Sequence, residues 1–241
     1  MAPPRHVRSL SLVRHAQSAG NVANDAALAA GHHELDLAHR DMDVPLSEVG
    51  ELQARALGSW FDAAAPTVVY SSPYRRAVDT VERALAVSRL DPPVVLDERL
   101  REREFGILDR LTKLGIEARH PEQAAARAFL GKMFHRPPGG ESWADVASRV
   151  RAFLGDLRLD HPAEDVVVVT HQAVIMLFRY VLERLDEPAL LAIDRSAQIG
   201  NTAVTAYRDD GDGLSLVTFN DTTHLPEEAT TRAPDRPVAP R

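Results

Sequence analysis

Hydrophobic positions along the chain follow two patterns: short β-branched runs and longer stretches with a helical period. Residues 7–13 alternate at first, turn apolar into Val13 and stop at Arg14-His15. Residues 68–70, 94–96 and 166–170 are valine-rich runs bounded by Pro, Asp or Ser. Such continuous apolar strands suit a parallel sheet covered on both faces, where neither side of the pleat meets water. Ser47 is placed to cap a helix running through Trp60, with Leu52, Ala56, Leu57 and Trp60 along one face. Residues 75–87 and 173–185 also read as helices. Ser142 opens another, whose apolar stripe is Val146, Val150, Phe153, Leu154 and Leu157.

Strands alternating with helices predict a doubly wound α/β domain with a mostly parallel central sheet and helices on both faces. The runs 204–208 and 214–219 flank Asp209-Asp210-Gly211-Asp212-Gly213, which predicts a hairpin finishing one edge. Residues 23–45 are polar and rich in His and Asp, and read as a mobile loop over the site, with an Ala-rich start compatible with helix. Residues 226–241 are rich in Pro, Thr and charge and are expected to be a disordered tail, so one domain spans 1–225. No internal repeat is visible.

Composition narrows the function. At 44% hydrophobic residues the 241-residue chain has material for a core. A net charge of −7 argues against coating nucleic acid or anionic membrane. With no cysteine, thiolate catalysis and disulfides are excluded. No apolar run is long enough for a signal peptide or a membrane span, which makes the cytoplasm the expected compartment. An acidic protein that binds phosphate must concentrate its positive charge locally.

It does so directly after the strands, where ligands bind in such sheets. Arg14, His15, Gln17, Ser18 and Asn21 follow the first run; Ser71, Ser72, Arg75 and Arg76 follow the second. Glu98, Arg99, Arg101, Glu102 and Arg103 follow the third, and His171 the fourth. Guanidinium groups bond phosphate oxygens in pairs and keep their charge. A neutral imidazole can attack phosphorus, a protonated one can stabilise equatorial charge, and a protonated carboxyl can serve the leaving alcohol. Cationic side chains supply the electrostatics, so neither metal nor cofactor is expected.

The segment Leu12-Val13-Arg14-His15-Ala16-Gln17-Ser18-Ala19-Gly20-Asn21 resembles the LVRHGxSxxN signature of the histidine phosphatase or cofactor-dependent phosphoglycerate mutase superfamily. Asp43 to Gly50, Ser71 to Thr80, Leu100 to Gly106 and Val169 to His171 are similar to its later blocks, in order, so the resemblance covers residues 7–220. It implies a three-layer α/β/α, phosphoglycerate mutase-like fold. It implies His15 as nucleophile and Glu102 as proton donor. Arg14, Arg76, Asn21 and His171 would grip the phosphoryl group, with Gln17 beside them and Arg75 and Arg103 at the substrate rim. Ala16 stands where the family usually has glycine, which is harmless if φ there is negative.

The implied activity is phosphomonoester hydrolysis through a phosphohistidine, acting on a small phosphorylated metabolite. Family mutases carry a longer, more basic insert between acid and second histidine; here 68 residues separate Glu102 from His171. A mutase remains the alternative, and a non-catalytic phospho-ligand module a further one. His32, His33 and His39, with Asp36, Asp41 and Asp43, lack regular ligand spacing and read as a solvated loop, not a metal site. Trp143, Phe134 and Phe129 read as core or lid packing. A monomer or a homodimer suits this length.

Overall fold

The computed structural model describes residues 6–231. Six strands form one mixed sheet in the order β3-β2-β4-β1-β5-β6. They are β1 (Ser9–Arg14), β2 (Val68–Ser71), β3 (Val94–Leu96), β4 (Asp165–Thr170), β5 (Val204–Asp209) and β6 (Leu214–Asp221). The first four run parallel, and β5 and β6 close one edge as an antiparallel hairpin.

Side-chain alternation divides the core into two layers. Leu10, Leu12, Val166 and Val168 face one way, onto α6 (Trp143–Asp160), α7 (Gln172–Leu182) and α8 (Glu187–Ser196). Val13, Val69, Val167 and Val169 face the other, onto α2 (Glu48–Ala64) and α3 (Arg75–Leu85). The remaining helices are α1 (Ala19–Ala30), α4 (Lys113–Arg119) and α5 (Pro121–Phe134). A small cluster of Leu108, Leu111 and Ile116 supports α4 and α5.

Several expectations need correction. β3 is exposed along its length, because it is the sheet edge and not an interior strand. The buried face of α2 is Gly50, Gln53, Ala54, Leu57, Gly58 and Phe61, which leaves Leu52 exposed. Glycines interrupt that face where α2 lies close against backbone: a Cβ on Gly50 would stand 1.9 Å from the Gln17 carbonyl oxygen. The Ala-rich start of residues 23–45 takes the helical form the sequence allowed, as part of α1, and a 3-10 turn, Asp41–Asp43, lies near their end. Trp143 is buried, but Phe129 is 89% exposed on α5 and Phe134 is exposed too. The expected tail begins in ordered structure: Glu227–Ala229 form a 3-10 turn, Ala229 is buried, and its carbonyl accepts from Gln53 Nε2 at 2.9 Å. Residues 232–241 lie outside the described part.

Candidate active site

The carboxyl ends of β1, β2 and β4 are drawn together by hydrogen bonds that continue past the ladders. His15 N–H donates to Thr170 O at 2.8 Å, Ser72 N–H to Val169 O at 2.9 Å, and Asp97 N–H to Ser71 O at 3.0 Å. Thr170 Oγ1 donates to Leu100 O at 2.7 Å, anchoring the segment that carries Glu102. Arg14, His15, Ser18, Asn21, Asp41, Arg76 and Glu102 thereby line one small pocket.

His15 is buried, and its Nδ1 lies 2.7 Å from the Ala16 carbonyl oxygen. A carbonyl only accepts, so Nδ1 carries the hydrogen and Nε2 holds the lone pair. Burial, then the charges of Arg76 and Arg14, hold this imidazole well below its ordinary pKa of 6.5. The ring is neutral, which is the nucleophilic form. Ala16 is also buried, is absent from the positive-φ residues, and its N–H donates to Thr80 Oγ1 at 3.0 Å. The glycine of the family pattern is therefore not required here for φ.

His171 sits fully buried, its ring centroid 5.0 Å from that of His15. Its Nε2 is 2.8 Å from Ser72 Oγ, and Nδ1 has no hydrogen-bond partner. Burial, followed by Arg76 and His15, depresses its pKa far below 6.5. It is neutral without a phosphate dianion, not the standing cation that the residue pattern alone suggests.

The cations are held in different ways. Arg14 is buried, with Nη1 donating to Ile199 O at 2.6 Å. Arg76 Nη1 donates to both the carbonyl and the carboxylate of Asp41, at 2.6 and 2.9 Å. An aspartate thus occupies the guanidinium that would hold phosphate. Asn21 Oδ1 accepts from the Ser18 N–H at 2.9 Å within the α1 capping box, which leaves its amide N–H groups for an anion.

Glu102 has its Oε1 accepting from the Arg103 N–H at 2.9 Å. Burial raises its pKa and nearby Asp41 adds to the rise, against the Arg103 N–H and the Arg76 charge. A carboxyl kept protonated toward neutral pH is what proton donation needs. Its neighbour Glu104 is occupied by the Tyr74 hydroxyl, which donates at 2.5 Å. The Glu102 segment is fastened by Glu141: its carboxylate accepts from Arg101, from Arg149 and from the Glu104 N–H.

Four expected residues are absent from the pocket's walls: Gln17, Arg75, Arg103 and the fully buried His171. Gln17 does not line the pocket; Ser47 Oγ donates to its Oε1 at 2.7 Å, so it ties the loop after β1 to the start of α2. Arg75 is half exposed and pairs with Asp79 at 3.4 Å. Arg103 is buried and lines the neighbouring cavity. Sequence reading missed Asp41, Glu141 and Arg149 as parts of the site, and named Ser72 without a role. Asp41 drew notice only as a metal-ligand candidate, and no cluster of three or more metal-binding side chains exists among the described residues.

Residues 10–222 match the family model of the histidine phosphatase superfamily, branch 1. The chain belongs to that superfamily. The 2,3-bisphosphoglycerate-dependent phosphoglycerate mutase 2 of Gloeobacter violaceus is 31% identical over 85% of this chain and 87% of its own length. The glucosyl-3-phosphoglycerate phosphatase of Mycobacterium tuberculosis H37Rv is 31% identical over 74% of this chain and 76% of its own. A solved mycobacterial glucosyl-3-phosphoglycerate phosphatase with inorganic phosphate superposes with a TM-score of 0.69. It is 27% identical and covers 91% of this chain and 100% of the other. This histidine phosphatase is therefore an enzyme of the superfamily, and its described residues form a mixed sheet of six strands with eight helices. No helix among the described residues is long and apolar enough to cross a membrane.

Proposed function

We propose that the enzyme hydrolyses phosphomonoesters of a small metabolite through a phosphohistidine on His15. The observation that carries this reading is the tautomer imposed by the 2.7 Å contact of Nδ1 with the Ala16 carbonyl, which presents Nε2 as the nucleophile. Arg14, Asn21, Arg76 and His171 would surround the phosphoryl oxygens. The Nε2–phosphorus bond forms as the ester P–O bond breaks, and the Glu102 proton passes to the leaving oxygen. The phosphorylated ring then bears positive charge, which the Ala16 carbonyl stabilises through Nδ1–H. Water next attacks phosphorus, the N–P bond breaks, and Glu102 recovers a proton from the water.

The expected result is that His15→Ala folds, by circular dichroism, and loses p-nitrophenyl phosphate hydrolysis. Turnover by that variant at the wild-type rate would overturn the mechanism. A mutase is the second reading, favoured by the Gloeobacter relative. Interconversion of phosphoglycerates dependent on 2,3-bisphosphoglycerate, faster than phosphate release, would establish it instead. The cytoplasm is the compartment this proposal assumes.

A further inference from the structure

Gln53 is fully buried on the inner face of α2, which it shares with Gly50, Ala54, Leu57, Gly58 and Phe61. An amide in such surroundings is costly unless both of its ends are bonded. Its Oε1 accepts from the Gln17 N–H at 2.8 Å, and its Nε2 donates to the Ala229 carbonyl at 2.9 Å. A backbone N–H only donates and a backbone carbonyl only accepts, so the amide has one orientation.

The Gln17 N–H belongs to the same trans peptide as the Ala16 carbonyl, and that carbonyl accepts from His15 Nδ1 at 2.7 Å. In a trans peptide the C=O and N–H point in opposite directions. Three amides therefore stand head to tail, from the Ala229 carbonyl through Gln53 and the Ala16–Gln17 peptide to the His15 ring. Each turns its oxygen end toward His15. The chain starts in the 3-10 turn Glu227–Ala229, where Ala229 is buried, and ends on the ring nitrogen opposite the one that attacks.

The alignment has a chemical consequence. When Nε2 bonds to phosphorus, the ring changes from neutral to positive. Amides bonded in series polarise one another, and in a buried site little screening separates their negative ends from that charge. The two preceding peptides do not reach the ring, because the Arg14 carbonyl accepts from the Thr202 N–H and the His15 carbonyl from Asn201 Nδ2.

We propose that Gln53 is a positioning residue for the nucleophile. Through the Ala16–Gln17 peptide it orients the His15 ring and steadies the positive charge of the phosphorylated imidazole, and it links both to the C-terminal segment. Gln53 touches neither substrate nor phosphorus. The proposal rests on the reading of His15 as the nucleophile of a phosphatase.

The test compares the wild type with Gln53→Met, which keeps an unbranched side chain and loses the amide. For p-nitrophenyl phosphate, kcat/KM reports formation of the phosphohistidine and should fall by about tenfold or more, the scale of one hydrogen bond to a charged group. The inhibition constant of inorganic phosphate should stay within about twofold, as for a site with no shared partner, since Gln53 bonds only Gln17 and Ala229. In NMR spectra of protein labelled at histidine nitrogen, the His15 Nδ1–H signal, assigned by its loss in His15→Ala, should move or vanish by exchange. Ala229→Glu cannot keep its side chain buried, so it withdraws the Ala229 carbonyl and leaves Gln53 in place. It should give the same pattern with a smaller loss, and it keeps the test independent of whether Gln53→Met folds. The double variant should be no slower than Gln53→Met, as for two links of one chain. An unchanged kcat/KM, an equal loss of phosphate affinity, an unmoved imidazole signal or additive losses would each overturn the proposal. The imidazole signal is read without turnover, so a wild-type protein that releases no p-nitrophenol sinks the phosphatase reading separately.

Discussion

At the scale of single residues, two carboxylates divide the work on protons. Glu102 is enclosed and raised, and its proton matters most when the leaving alcohol is a poor one. Glu102→Gln should therefore lower kcat on an alkyl phosphate by about 10²-fold or more, yet much less on p-nitrophenyl phosphate. A matched loss on both esters in steady-state assays would remove Glu102 from the acid role. Asp41 acts through its charge, since it holds Arg76 and helps raise Glu102. Asp41→Asn should free Arg76 and lower KM by a few-fold. Without that negative charge the Glu102 carboxyl ionises at lower pH, so the alkaline limb of kcat/KM should move down. A rise in KM with an unmoved limb would show instead that Asp41 orders the pocket.

At the scale of elements, the site depends on how segment 99–104 is fastened. Arg149 on α6 bonds the carbonyls of Arg99 and Glu102 and is neutralised by Glu141. Both side chains are largely buried, so removing one partner strands the other. Glu141→Ala is expected to cost about 3 kcal/mol in chemical denaturation. It should also lower kcat more than it weakens inorganic phosphate binding, because Arg14 and Arg76 hang on β1 and α3. Equal loss of both would mean that the fastening supports the whole pocket.

For the molecule as a whole, acid sensitivity should follow the buried imidazoles. His15, His171, His135 and His224 are all depressed below 6.5, chiefly by burial. The unfolded chain takes up protons near 6.5 that the folded rings refuse. Their contribution to stability is therefore present above that pH and is lost as pH falls below it. Raised Glu102 and Asp109 work in the opposite direction, two groups against these four imidazoles. Thermal scans should show Tm flat above neutrality and declining below 6.5. A Tm insensitive to pH in that range would contradict the burial of these rings. Phosphate binding should draw a proton onto the site, seen as a buffer-dependent heat in calorimetry.

The sequence by itself determined the strand order of events: valine runs ending in Arg, Ser or His, helices between them, and a hairpin closing one edge. It carried Arg14, which ends β1, and His15 and His171, which directly follow β1 and β4; Arg76 and Glu102 lie farther past their strands and were marked out by the resemblance to the family's blocks. Packing between distant elements decided the rest. Gln17 turns to Ser47, since a glycine-faced α2 abuts its backbone. Asp41 reaches Arg76 and Glu141 reaches Arg149 across separations that no period encodes. The depressed pKa of His171 was likewise a tertiary outcome, because it comes from burial and from the charge of Arg76. The cavity beside the site is of the same kind, since Arg103 and Arg127 share its wall only when α5 folds beside the Glu102 segment.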